Sequence, residues 1–257
     1  MIERFAQLPS TLRNASKSES LAGVPTLLAH PDWQDPAPFV FWMHGRTVHK
    51  ELDPGRYLRW LRTGIATCAI DLPGHGERYE VDYHHPRRTL DLLRQALGEI
   101  DEVIDALPDV FDRSRMAIGG MSAGGMVTLR RLCDPHDFVC ATVEATTGNL
   151  QDLYHPDHER NARWPVDHPP DAIAPPDPRR HLEGFRPIPL LALHTVTDEV
   201  VPWPVQKVFL DDLRQIDPHV EVHTFESTGA PDEHAGFGRF ANDAKNLQVE
   251  FLERHLR

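Results

Sequence analysis

The chain has 257 residues, and 27 Lys and Arg against 39 Asp and Glu leave a formal charge of −12 with histidine neutral. That acidic balance argues against nucleic acid as a partner. A hydrophobic share of 40% with 26% charged residues is ordinary globular usage, which excludes wholesale disorder, and the length suits one domain with a full-sized core.

Residues 1–20 read as a polar N-terminal extension and residues 21–257 as a single domain. Val24 to Ala29 and Phe39 to Met43 read as strands, the second so apolar that both of its faces should be buried. Tyr57, Leu58 and Leu61 share one face of a helix, and Ile65 to Ile70 is the next strand. Leu90, Leu93, Leu97, Ile100, Ile104 and Leu107 mark a long amphipathic helix that Pro108 stops. The strand Met116 to Ile118 leads into a helical run from Met126 to Leu132, and Ala141 to Ala145 is a further strand. Residues 149–187 then break the rhythm with their many prolines and no sustained apolar period, and they read as an insertion that forms a short lid over a pocket. Leu190 to His194 and Val220 to Phe225 complete the strands. Between them Pro202 and Pro204 open a helix carrying Val205, Val208, Phe209, Leu213 and Ile216. Phe237, Phe240, Ala244, Leu247 and Phe251 belong to the last helix. Short apolar runs alternating with 3.6-period stretches define an α/β class with a mostly parallel sheet.

No apolar run approaches the roughly 18 residues of a membrane span, and the N-terminal residues lack the apolar stretch of a secretory leader. Cys68, Cys133 and Cys140 form no C-x-x-C pair, which suits a reducing compartment. A cytoplasmic protein with no membrane partner is expected. His84, His85, His155 and His158 lie in Pro- and Asp-rich stretches without Cys or Glu at zinc-site spacing, so neither a metal nor another cofactor is expected.

The chemistry concentrates at Gly120-Met121-Ser122-Ala123-Gly124, which fits G-x-S-x-G and stands where a strand ends and a helix begins. On so sharp a turn the residues two before and two after the serine must be nearly free of side chain, and both are glycine. A serine hydroxyl is a poor nucleophile at neutral pH, so it needs a histidine base and a carboxylate to fix that base's tautomer. Downstream, Asp198 follows the buried strand Leu190 to His194 and is the expected acid, with Glu144 as its rival. His234, in the loop between the last strand and the last helix, is the expected base, with His223 as its rival. The backbone N–H groups of Ala123, after the nucleophile, and Arg46, after His44-Gly45, are the expected oxyanion donors. The Arg46 side chain could grip a substrate carboxylate or point outward into solvent.

Trp42-Met43-His44-Gly45, Asp71-Leu72-Pro73-Gly74-His75-Gly76, the Ser122 pentapeptide, Asp198 and His234 together resemble the α/β-hydrolase superfamily over about residues 24–256. Within it the chain is similar to small serine esterases of the dienelactone-hydrolase and prolyl-oligopeptidase-like branches, although dienelactone hydrolases proper carry cysteine where Ser122 stands. The resemblance implies an eight-stranded, mostly parallel sheet flanked by helices, with an antiparallel strand near the N-terminus. It implies a serine hydrolase that cleaves carboxylic esters of short acyl groups through an acyl-enzyme, with a small-molecule ester as its partner. The alternatives are a peptidase of acylaminoacyl type and a non-catalytic protein that keeps the fold to bind a small ligand.

Overall fold

The computed structural model describes residues 4–155 and 168–257. Eight strands form one sheet: β1 Ser16–Leu21, β2 Val24–Ala29, β3 Ala37–Met43, β4 Ala66–Ile70, β5 Phe111–Met121, β6 Cys140–Glu144, β7 Leu190–Thr195 and β8 Val220–Phe225. They lie in the order β1-β2-β4-β3-β5-β6-β7-β8. β2 runs antiparallel to both β1 and β4, and from β4 to β8 every pairing is parallel.

Because successive side chains point to opposite faces of a strand, the central strands feed two cores. Phe39, Phe41 and Met43 of β3 pack on one side with Leu90, Leu93 and Ile100 of α3 (Thr89–Asp105), Met126 and Leu129 of α4 (Ala123–Arg131), and Phe209 of α7 (Trp203–Arg214). Val40 and Trp42 pack on the other side with Leu12 of α1 (Ser10–Asn14), Tyr57 and Trp60 of α2 (Pro54–Arg62), and Phe251 of α8 (Ala241–Leu256). The near-continuous apolar run of β3 is the signature of this double burial.

The described residues 4–20 of the N-terminal extension pack against the domain. Leu8 and Leu12 are buried in the second core, and Ser16–Leu21 pairs in register with β2 from Ser16 opposite Ala29 to Leu21 opposite Val24. This edge strand exposes its middle residues on both faces, so backbone hydrogen bonds hold it and no apolar alternation announces it. Polar and charged edge residues also discourage pairing with other chains. At the other end of the chain, Phe237 and Phe240 precede α8, Phe240 in a short 3-10 turn, and both pack on Phe225.

Segment 149–187 joins β6 to β7, and its described part contains α5 (Leu150–Tyr154), α6 (Pro170–Ile173) and a 3-10 stretch, Pro178–Gly184. Asp177, fully buried, accepts the N–H groups of Leu150 (3.0 Å) and Gln151 (3.2 Å) at the start of α5, so the two ends of the segment are tied together. Burial raises its carboxyl pKa, against the pull of those backbone donors. Trp164 lies outside the described residues.

Candidate active site

The strand order reverses between β3 and β5, where the chain turns to opposite sides for its next strand, and the crevice beyond the carboxyl ends of these strands is where open α/β sheets place their ligands. Ser122 sits there, directly after β5, with φ 51° and ψ −116°. That left-handed region is uncommon for a residue with a side chain. The turn is held from both sides: the Ser122 N–H donates to the Glu144 carbonyl (2.9 Å), and Thr146 Oγ1 donates to the Ser122 carbonyl (2.7 Å). The flanking glycines are needed for space. A Cβ on Gly120 would lie 2.4 Å from the Gly124 carbonyl carbon, and a Cβ on Gly124 would lie 2.2 Å from the Met43 carbonyl oxygen.

His234 bridges Ser122 and Asp198. Its Nε2 is 2.9 Å from Ser122 Oγ, and its Nδ1 is 2.7 Å from Asp198 Oδ2. A carboxylate can only accept, so Nδ1 carries the proton and Nε2 presents its lone pair to the serine hydroxyl. The other Asp198 oxygen accepts the N–H groups of Val200 (2.8 Å) and Val201 (2.9 Å), which fixes the carboxylate after β7. Beneath it the buried His194 ring donates from Nε2 to the Val201 carbonyl (2.8 Å) and lies 3.9 Å from Asp198 Oδ2. Burial lowers the pKa of His194, although Asp198 opposes it. The loop carrying His234 is pinned by Glu233, whose carboxylate accepts from the backbone of Thr228 (2.9 Å) and Gly229 (3.0 Å) and from the hydroxyl of Ser227 (3.0 Å).

The two rival residues are elsewhere engaged. Glu144 is buried and accepts both terminal nitrogens of Arg56, at 2.6 and 2.8 Å, with Gln248 completing the cluster. His223 lies within β8 opposite Leu193.

Gly45 closes on the elbow: a Cβ there would meet Ser122 Cβ at 3.4 Å, so the backbone that follows β3 runs alongside the serine. Arg46 comes next, and Ala123 is the first residue of α4, where N–H groups lack intrahelical acceptors. The Arg46 guanidinium is partly buried and donates to the His84 carbonyl (2.8 Å), and burial lowers its pKa. It is therefore not a freely solvated side chain.

Two supports of this loop are hard to see in the sequence. Burial holds the His44 imidazole down to about 4, so it is neutral; Nδ1 donates to the Gly45 carbonyl (2.6 Å) and Nε2 accepts from Leu72 N–H (3.0 Å). Lys50 is fully buried, and its ammonium meets Asp71 (2.8 Å), Glu77 (2.5 Å) and Glu51 (3.0 Å). Asp71 also accepts the N–H of Lys50 (2.9 Å) and of Glu77 (2.9 Å), which locks the loop after β3 to the loop after β4. Gly76 is obligatory beside it, because a Cβ would fall 2.0 Å from the Asp71 carboxylate.

The doubly wound sheet, the strained serine after β5 and the Ser-His-Asp line define a serine hydrolase of the α/β-hydrolase fold. The chain belongs to the prolyl oligopeptidase family, whose sequence pattern matches residues 57–257. It is 27% identical over 200 residues to esterase YjfP of Escherichia coli, a match that covers 72% of this chain and 79% of that protein. Among solved structures it is similar to the Thermus thermophilus protein TT1662, with a TM-score of 0.71, 21% identity and coverage of 94% of this chain and 98% of the other. It is also similar to the acylaminoacyl peptidase of Pyrococcus horikoshii, with a TM-score of 0.74 and 18% identity; 94% of this chain corresponds to 42% of that longer protein.

Proposed function

We propose that Ser122, His234 and Asp198 are the catalytic triad of an esterase that cleaves carboxylic esters of short acyl groups through an acyl-enzyme. The observation that carries this reading is the His234 ring, which spans Ser122 Oγ at 2.9 Å and Asp198 Oδ2 at 2.7 Å. Ser122 Oγ attacks the ester carbonyl while His234 Nε2 takes its proton, and Asp198 stabilises the imidazolium that forms. The carbonyl oxygen becomes an oxyanion held by the N–H groups of Ala123 and Arg46, each oriented by backbone before the substrate arrives. His234 then returns the proton to the departing alkoxide, and the alcohol leaves. A water molecule, deprotonated by the same nitrogen, attacks the acyl-Ser122 carbonyl and releases the acid, restoring the serine.

Segment 149–187 is the lid of this site in the same reading: Tyr154 at the end of α5 is buried with its hydroxyl against Met126 Sδ (3.6 Å), on the helix that follows Ser122. Among the described residues no helix is long and apolar enough to cross a membrane, and Cys68, Cys133 and Cys140 are buried free thiols. Those thiols suit a reducing cytoplasm.

Amide hydrolysis is the second reading, favoured by the family match over residues 57–257. The triad serves both reactions, and the pocket decides. The test uses three measurements on one preparation. A fluorophosphonate should label Ser122, p-nitrophenyl acetate should be hydrolysed faster than aminoacyl p-nitroanilides, and Ser122→Ala should lose labelling and about 10⁴ to 10⁶ in kcat while keeping its fold. Faster cleavage of the anilides would establish the peptidase, and absence of labelling would establish a binding protein.

A further inference from the structure

Gly45 and Arg46 share one trans peptide group, so the Gly45 carbonyl and the Arg46 N–H lie in one plane and point in opposite directions. Whatever holds the carbonyl therefore aims the N–H. Residues 44–53 form a loop between β3 and α2, glycine restrains the rotation of such a plane less than any other residue, and Thr47 beyond it has φ 66°. No helix or strand sets the direction of this group. It lies against the elbow all the same: a Cβ on Gly45 would meet Ser122 Cβ at 3.4 Å and the Met121 carbonyl oxygen at 3.7 Å, and a Cβ on Gly124 in the first turn of α4 would fall 2.7 Å from the His44 carbonyl oxygen.

His44 holds the carbonyl. Its ring is buried, and Nδ1 is 2.6 Å from the Gly45 oxygen. The other nitrogen settles which atom carries the proton: the Leu72 N–H, 3.0 Å from Nε2, can only donate, so Nε2 presents its lone pair and Nδ1 is the donor. Asp71 Oδ1 lies 3.7 Å from Nε2, beyond hydrogen-bond reach, and accepts the Lys50 N–H instead (2.9 Å). The tether thus runs from Leu72, just past β4, through the ring to the Gly45–Arg46 peptide.

We propose that His44 is a positioning residue for acyl transfer: by donating from Nδ1 to the Gly45 carbonyl, it turns the Arg46 N–H toward the oxyanion that forms when Ser122 attacks. The inference rests on the acyl-transfer reading of Ser122 given above. A donor fixed before the substrate arrives needs no reorganisation during the reaction. The bond accepted by the carbonyl also polarises the N–H at the other end of the same peptide, which strengthens it as a donor. The ring is sealed from solvent, so it acts through the backbone and touches no substrate.

The test separates the two bonds of the ring. An asparagine amide nitrogen falls near the place of Nδ1 and can keep the bond to Gly45 while giving up Leu72; a glutamine amide reaches the place of Nε2 and does the opposite. kcat and KM are measured for His44→Asn, His44→Gln and His44→Phe on whichever of p-nitrophenyl acetate and an aminoacyl p-nitroanilide the parent protein cleaves, with active molecules counted by fluorophosphonate labelling carried to completion. His44→Asn should keep kcat within about tenfold of the parent, and the other two should fall at least about tenfold below His44→Asn. KM should change little, because acylation and deacylation each pass through an oxyanion and slow together. An Asn-to-Gln ratio in kcat below about tenfold overturns the proposal, since a ring that merely tied the two loops together would be replaced better by glutamine. If the glutamine and phenylalanine proteins do not fold, His44→Asn decides alone, and a loss of more than about tenfold overturns it. Ser122→Ala run alongside distinguishes the failures: hydrolysis that survives it ends the triad reading and this one with it, whereas hydrolysis that it abolishes, together with a flat Asn-to-Gln ratio, ends the role of His44 alone.

Discussion

Arg56 and Glu144 meet in a two-pronged ion pair, 2.6 and 2.8 Å long, that joins α2 to the end of β6 beneath the Ser122 turn. Both side chains are buried, Gln248 of α8 donates to the same carboxylate oxygen (3.1 Å), and the guanidinium lies 4.3 Å over the Trp42 ring. The Glu144 carbonyl is the acceptor for the Ser122 N–H, so the pair also steadies the strand that supports the elbow.

Arg56→Met should therefore destabilise strongly. Removing one partner of a buried pair leaves the other charge uncompensated and costs about 3–5 kcal/mol, which lowers Tm by about 6–20 °C in a chain of this size. Hydrolysis per folded molecule at low temperature should change far less than stability, because neither group reaches the serine. Thermal unfolding and a 15 °C ester assay on the same samples check both halves, and an unchanged Tm would refute the first.

Asp198→Asn should do the reverse, leaving stability nearly intact and lowering kcat by about 10⁴. The asparagine oxygen can keep the N–H bonds of Val200 and Val201 that Asp198 Oδ1 now accepts, and its NH₂ then faces His234 Nδ1. A donor there forces Nδ1 to accept, which moves the ring proton to Nε2, where it blocks rather than assists the serine hydroxyl. Steady-state kinetics with p-nitrophenyl acetate measure the loss. Comparison with Glu144→Gln decides between the two carboxylates, since a larger kcat effect at Glu144 would exchange their roles.

The positions of Ser122, Asp198 and His234 were legible because each signal is local: a serine between two glycines at a strand-to-helix step, an aspartate just past an apolar strand, and a histidine in the last loop. β1 was not, because a strand held by backbone bonds and exposed on both faces has no apolar period. Only the middle of β5 was visible, since Asp112, Arg113, Ser114 and Arg115 interrupt its apolar pattern before the buried half begins. Lys50 reads as one more solvated cation until the fold brings Asp71 to it from 21 positions away. The path of the Arg46 side chain depends likewise on a carbonyl 38 residues distant.

Acid should unfold the protein in the range where histidines titrate. Burial holds His44 and His75 down to about 4, whereas in the unfolded chain each titrates near 6.5. The unfolded state therefore binds protons first as pH falls. The stability contribution of each is complete above about 6.5 and is lost on the way down to about 4. Between pH 7 and 5 the loss should be about 2 kcal/mol per histidine. Urea unfolding at several pH values measures the slope, and His75→Phe should reduce it by close to one proton. An unchanged slope would mean that His75 is already protonated in the folded protein.

The length of acyl chain that the enzyme prefers follows from where the segment between β6 and β7 puts its aromatic side chains. Tyr154 and Phe185 are both buried in the core, Tyr154 with its hydroxyl against Met126 Sδ (3.6 Å), so the described part of the segment offers little free apolar surface to a substrate. Among the described residues the exposed large apolar side chains Leu52, Tyr79, Val81 and Val200 stand singly on the loops after β3, β4 and β7. Scattered side chains of this kind do not make a long channel. Each methylene buried is worth about 0.8 kcal/mol, so a deep apolar channel would raise kcat/KM about fourfold for every carbon added to the acyl group. A shallow pocket stops that rise early. p-Nitrophenyl acetate, propionate and butyrate should accordingly be hydrolysed faster than the octanoate ester when all are measured under one set of conditions. A rate that keeps climbing to the octanoate would place a deep apolar channel beside Ser122 and reassign the acyl specificity to long chains.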